Sequence, residues 1–327
     1  MYFESPNIIL EQGQREWKRN AADNQRILLL YALPALSLPL LVMAINLLLN
    51  KQLAGTGGLS GIGLRSTLET IQMVLSNATS LLLPFWQLGL LFSAMTISRR
   101  QIASANDLFE GFRRWGAALR LMLFRTLRYT LGCLGGLFLG SAIFTMTPLS
   151  NQFFAAGETI ASDPAYASAT AEELIALLTK STDFWHIFPY YILCALGIAF
   201  FVIPLFYRYR MSNYILLDSQ DPSALQCIHE STRMMRGNAI DLFKLDLRFW
   251  WYYLLLALSS VAAYGDLLLP LFGIALPFSS TWSVVLFALL STAMQLAVYY
   301  LFTGRVETTY ACAYDSLISS KGGNETL

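Results

Sequence analysis

The sequence predicts an all-α, polytopic membrane protein: six transmembrane helices in three hairpins, with interfacial helices on the cytoplasmic side. Three observations predict it. Apolar runs recur at 27–49, 71–97, 129–146, 184–207, 249–264 and 283–303. Each has, or reaches with its flanking residues, the roughly 20 helical residues that cross a bilayer's hydrocarbon. Charge is scarce: 13% of the 327 residues are charged and 55% are apolar, where soluble domains carry roughly 25% charge. The basic residues also alternate. All 22 Lys and Arg except Lys51, Arg65 and Lys180 fall on the same side of the spans. The positive-inside rule makes that side cytoplasmic and puts both termini there. Lipid offers the backbone no partners, so such runs must satisfy their own hydrogen bonds as helices.

Residues 1–26 are expected to form a cytoplasmic interfacial segment, with Arg15, Lys18, Arg19 and Arg26 ahead of the first span. The opening stretch from Met1 to Asn7 lacks the basic, apolar and small-residue order of a signal peptide. The first span is expected to act as its own insertion signal. Residues 27–318 form one membrane domain and 319–327 a cytoplasmic tail. The link at 51–66 carries Gly55, Gly57, Gly58, Gly61 and Gly63. Its spacing misses the dinucleotide fingerprint, and it reads as a flexible connection. Residues 104–115 are expected to form a surface helix with Leu108, Phe109 and Phe112 on one face. The outer loop, 147–183, contains a capping box at Thr170 and Glu173 followed by a short apolar helix at 174–178. It reads as an inert cap, or as a lid or partner surface.

A cytoplasmic helix is expected at 222–236. Asp221 would cap it, Pro222 would take its first position, and Gly237 and Asn238 would stop it. Leu225, Ile228, Thr232 and Met235 would form its apolar face. The segments leading into the three hairpins share basic and aromatic residues, as at Arg15 to Arg19, Phe112 to Trp115 and Met234 to Arg236. This is either a remnant of repetition or convergence on what headgroups require. Prolines 34, 39, 84 and 204 are candidate kink positions.

Several constellations are candidates for function. Asp241, Lys244, Asp246 and Arg248 are spaced for contacts on one helix. Asp246 sits where the fifth span enters the membrane, and an ionised carboxylate there requires a basic partner. Arg125, Arg128 or Arg208 is expected to supply it. The cluster is either an ion-pair latch or a site for an anionic headgroup or a coupling ion. Arg120, Arg125 and Arg128 form a basic face suited to anionic lipid headgroups. Asn77 and Gln87 of the second span could line a polar cavity with Gln295 of the sixth. Gly132, Gly136 and Gly140 are spaced for close helix packing.

Enzyme signatures are lacking. His229 and Glu230 begin a zinc motif, but Arg233 occupies the closing position. The four cysteines show no paired spacing; Cys227 and Cys312 are expected to face the cytoplasm and Cys133 and Cys194 to lie within spans. No metal, cofactor or nucleic-acid partner is expected.

The stretch 207–252 carries a family pattern through Asp218, Ser231, Met235, Gly237, Phe243, Leu245, Asp246, Leu247 and Phe249. Thr309 to Tyr314 supplies a closing small-residue and tyrosine signature. The chain here resembles a bacterial integral membrane family known as domain of unknown function 975. Arg248, Trp251 and Tyr252 stand where that family has serine, glycine and tryptophan. The resemblance implies a six-span fold in the bacterial inner membrane and no particular activity. The functional expectation is a scaffold or accessory protein that binds lipid or a membrane protein partner. The alternative is a small-molecule or peptide transporter, or an export component, with a polar path between helices 2 and 6.

Overall fold

A computed structural model describes residues 4–55, 59–162, 184–220, 223–265, 269 and 280–322. Every element among them is helical. Five helical stretches are long and apolar enough to cross a membrane: Ala21–Ile45, Thr70–Ser98, Trp115–Thr145, Phe188–Asp218 and Trp282–Ser319. The fifth predicted run departs from expectation. It forms only Trp250–Ala262, a helix of 13 residues. At 1.5 Å per residue that is about 20 Å, short of the roughly 30 Å of hydrocarbon. The backbone breaks at Phe249 (φ −98°, ψ 14°), which separates this helix from an amphipathic one before it.

The described residues of 1–121, 211–265 and 278–327 form one compact unit, and those of 122–210 belong to a second. The first unit begins with α1 (Pro6–Arg19), which buries Ile9, Gly13 and Trp17 along one face. α2 (Ala21–Gly55) and α3 (Leu59–Ser98) pair as antiparallel neighbours, continuing through Pro34, Pro39 and Pro84. Trp86 Nε1 donates to the Tyr31 carbonyl at 3.0 Å and fixes their register. A 3₁₀ turn (Ala105–Phe109) and α4 (Glu110–Arg113) take the place of the expected surface helix. Two glycines bring this turn onto α3: a Cβ on Gly89 would strike the Leu108 carbonyl, and one on Gly111 the Phe85 carbonyl. Leu108 is buried, whereas Phe109 is half exposed and meets Trp86 edge-on at 5.2 Å. α5 (Trp115–Thr145) starts in this unit and continues into the second.

The second unit contains most of α5, then α6 (Leu149–Ser162) and α7 (Phe184–Tyr209). α6 occupies the start of the expected outer loop. The capping box at Thr170 and the helix at 174–178 lie outside the described residues. Phe144 is buried against Phe153 and Tyr190, with ring centroids 5.4 and 5.2 Å away.

The first unit resumes with α8 (Ser212–Asp218), α9 (Ala224–Met235), α10 (Ala239–Arg248) and α11 (Trp250–Ala262). α9 is the expected 222–236 helix with two corrections. Ser223 is its cap, accepting from the Gln226 amide at 3.2 Å, and Asp221 and Pro222 lie outside the described residues. Its buried face is Ala224, Cys227, Ile228, Ser231, Met234 and Met235; Leu225 is exposed. Gly237, at φ +91°, ends the segment as anticipated.

The chain closes with α12 (Ser280–Val298), a π turn (Tyr299–Thr303) and α13 (Gly304–Gly322). The sixth run therefore does not stop at Thr303. α13 packs against α1 and α3 and buries Val306, Thr308, Thr309, Ala311, Ala313 and Leu317. The alternation of small and large residues explains how neighbours approach on several sides. Gly13 lies on Thr309, and the Trp17 indole lies on Gly304 at a distance that leaves no room for a Cβ.

Candidate functional site

Polar side chains in the first unit gather at the ends of α3, α8 and α13. Arg99, just past α3, reaches two carboxylates. Its Nη1 lies 2.6 Å from Asp218 Oδ1, and its Nη2 lies 3.0 Å from Asp315 Oδ1. Ser98 Oγ donates to the other Asp315 oxygen at 2.6 Å. The Tyr314 hydroxyl donates to Asp218 Oδ2 at 3.2 Å, and its ring stacks on Tyr214 with centroids 5.4 Å apart. The hydrogen bond that Arg99 donates to Asp218 and the field of both carboxylates hold its guanidinium above the ordinary pKa. Its side chain is 38% exposed and the carboxylates 28%. Each pair therefore sits between the surface value of about 0–1 kcal/mol and a buried one. Sharing one planar guanidinium between two acids adds geometric definition.

A second arginine ties the same region. Arg114 Nε donates to Glu110 at 2.9 Å, while its Nη1 caps α8 by donating to the carbonyls of Leu216, at 2.9 Å, and Ser219. Glu16 of α1 meets Arg100 at 3.2 Å and Arg19 at 3.7 Å. Arg100 adopts φ +62°, left-handed for a non-glycine, where the chain turns out of α3. These contacts join α1, α3, α8 and α13 by side chains far apart in sequence.

Beside this layer lies a small cavity between α1, α2, α3 and α13. Trp17, Asn24, Ser93, Gly304, Glu307 and Thr308 are among its walls, and it encloses ≈ 10 Å³. That is about the room of one water molecule. Asn24 is buried and donates to the Trp17 carbonyl at 2.9 Å. Glu307 is a carboxylate inside the Trp282–Ser319 stretch, and the π turn precedes it. Tyr252 and Thr303 share a buried hydrogen bond of 3.1 Å nearby in sequence. Sequence reasoning missed Glu307 because it lies beyond the apolar run at 283–303.

The sequence-derived candidates belong to both units. Asp246 accepts a hydrogen bond from Tyr310, whose hydroxyl is also 2.7 Å from that of Tyr253. The three form a chain between α10, α13 and α11. Arg248 is exposed, and Lys244 pairs with Asp241 at 2.8 Å as its spacing suggested. Arg125, Arg128 and Arg208 belong to the second unit. Arg125 lies over the Tyr129 ring at 5.8 Å and Arg128 over the Tyr209 ring at 5.4 Å. Arg208 is exposed at the end of α7. Asn77 and Gln87 are exposed and Gln295 half-buried. Ser93 of α3 and Glu307 and Thr308 of α13 line the small cavity described above.

The glycine ridge packs α5 on α7. A Cβ on Gly136 would meet Ile198 Cα, and one on Gly140 would lie 2.6 Å from Cys194 Cα. Gly197 of α7, which sequence reading did not single out, reciprocates against Gly136. Gly132 approaches only a side chain, Leu205 Cδ1 at 3.0 Å.

Cys227 and Cys312 are buried in protein rather than presented at a surface. Burial pushes the Cys227 thiol up to about 11, aided by Glu230.

Fold and site together define an all-helical protein with membrane-spanning helices, braced at one end by a side-chain ion-pair layer. Within that class, the chain belongs to the family described as protein of unknown function (DUF975), whose model matches residues 5–320. The match runs from α1 to α13, so the ion-pair layer lies within the family's span. Neither the comparison with curated proteins nor that with solved structures finds a match.

Proposed function

We propose that this is a non-catalytic accessory or scaffold protein of the bacterial inner membrane, with both termini cytoplasmic, that engages lipid or a membrane protein partner. The observation that carries the reading is the Arg99, Asp218 and Asp315 cluster. It joins the end of a spanning helix to α8 and α13, which makes a braced platform where the basic residues collect. Braced surfaces suit docking, because little ordering entropy is lost on binding. The positive-inside bias supports the orientation. A six-span arrangement in three hairpins requires α11 to cross with help from residues around it. The test is isolation of the full chain from native membranes with and without Arg99→Gln. The reading expects a stoichiometric membrane partner or retained lipid that the variant loses. Solute flux through proteoliposomes holding the purified protein alone would contradict it.

One observation favours the transport alternative: Glu307 lies within a spanning stretch, beside a π turn and a cavity. Intramembrane carboxylates often serve ion or proton paths, and π turns recur at functional sites. A flux abolished by Glu307→Gln in proteoliposomes would establish it. The ≈ 10 Å³ enclosed there is too little for any solute beyond water or a small ion.

A further inference from the structure

α10 carries two apolar faces. It neighbours α1 and buries Leu242 and Leu245. The other face stays outside: Ile240, Leu247 and Trp250 are each more than half exposed, with Phe243 beside them. Intervals of three and four residues place such side chains on one side of a helix. In sequence the stripe continues along α11 as Leu254, Leu258 and Val261, all exposed. The exposed apolar surface of α10 is thus continuous with that of an apolar helix in the same unit.

α10 is also charged. Asp241, Lys244, Asp246 and Arg248 all fall within it, and a charge at the centre of a bilayer is costly. These charges are kept off the stripe. Lys244 pairs with Asp241 at 2.8 Å, and Arg248 is exposed on the same polar side. Asp246 turns to α13, where it accepts from Tyr310. A helix with an apolar stripe beside a charged one satisfies both at the boundary between headgroups and acyl chains. Trp250 stands where α10 gives way to α11, and tryptophan is enriched at that level of a membrane.

Length selects lipid over a protein as the occupant of the stripe. α11 has 13 residues. It covers about 20 Å of roughly 30 Å of hydrocarbon, a shortfall of about 10 Å. An interfacial helix sinks its apolar face about 5–10 Å into the boundary. A chain handed to α11 at that depth begins its crossing below the headgroups, which removes much of the shortfall. A protein docked on α10 would leave it whole.

We infer that α10 is a membrane-surface helix whose stripe of Ile240, Phe243, Leu247 and Trp250 is immersed among the acyl chains of the leaflet where α11 begins. The break at Phe249 is where the chain passes from lying in that surface to entering the apolar layer. The partner is the lipid surface itself, held by apolar contact rather than by headgroup charge. The placement goes beyond the accessory-protein reading and applies equally to a transporter.

Photo-crosslinking of the full chain in native membranes tests it. p-Benzoylphenylalanine in place of Ile240 or Leu247 inserts into neighbouring C–H bonds on illumination, and mass spectrometry reads what it has captured. Phospholipid adducts at these two positions should exceed those from Asp241 or Arg248 by at least about tenfold, a ratio that burial of one such side chain sustains. Capture of a protein at Ile240 and Leu247, whether a partner or a second copy, overturns the placement. So do lipid adducts that are absent or equal at all four positions. A second measurement leaves α10 unaltered. The part of the tryptophan fluorescence that Trp250→Phe removes should be quenched by phospholipids brominated near the glycerol end of their acyl chains and spared by aqueous iodide. Quenching by iodide and not by those lipids contradicts the inference.

Discussion

Each of the two units is held together internally by its own means. In the second, α5 and α7 meet backbone to backbone at Gly136, Gly140 and Gly197. In the first, glycines also bring backbones close, at Gly89 on Leu108 and Gly111 on Phe85, but side chains add to them: an indole on Gly304, and one guanidinium between Asp218 and Asp315. Lipid supplies no hydrophobic drive between spanning helices, so small residues and van der Waals contact do the work there. Where chain segments leave the apolar layer, charge and hydrogen bonding become available, and the first unit uses them. The contrast teaches that a contact's chemistry follows its surroundings, and that each unit should fail by its own kind of substitution.

The largest effect is expected at Trp17. Replacing it by Ala removes a buried indole from between α1 and α13 and should cost about 3–5 kcal/mol. Thermal unfolding in detergent, with proteolysis of α1 as the local readout, checks this. A wild-type midpoint would mean that α1 is not part of the packed unit. Next comes the ridge. Gly136→Leu forces α5 from α7 and should cost at least about 1–3 kcal/mol, whereas Gly135→Leu meets nothing within 4 Å and should be tolerated. Equal stability of the two variants would show that the hairpin is not packed through Gly136.

How much of this was legible in the sequence depended on the range of the contact. Gly132, Gly136 and Gly140 repeat at a helical interval, and Gly237 follows a capped amphipathic helix; both signals are local. Asp218 stood out in the family pattern, but Arg99 lies 119 residues away and no local spacing links them. Glu307 was hidden for a related reason. The apolar run ends at Thr303, whereas the helix runs on through a π turn into α13, which packs on α1 and α3. Asn77 and Gln87 are polar positions in an apolar run, and a period of 3.6 alone leaves their face undetermined. The fifth run had sufficient length as composition, but the break at Phe249 divides it from α10.

A smaller effect separates the buried thiols from exposed ones. Cys227 should resist maleimide at neutral pH in the folded protein and react after denaturation in dodecyl sulfate. Burial keeps its thiol protonated, with its pKa pushed from 9.0 up to about 11. Its contribution to stability is present below pH 9.0 and is lost as the pH rises toward about 11, because the unfolded thiol ionises first. The alkaline fall in stability should therefore be shallower in Cys227→Ser. Rapid labelling of native Cys227 would mean that α9 does not pack as described.

The central claim is that the first unit is braced by Arg99 reaching two carboxylates, and hydrogen–deuterium exchange of the full chain in detergent tests it most directly. Arg99→Gln should raise exchange in α8 and in α13 around Asp315 while leaving α7 at its wild-type rate. Unchanged exchange in α8 and α13, or an equal rise in α7, would contradict the account.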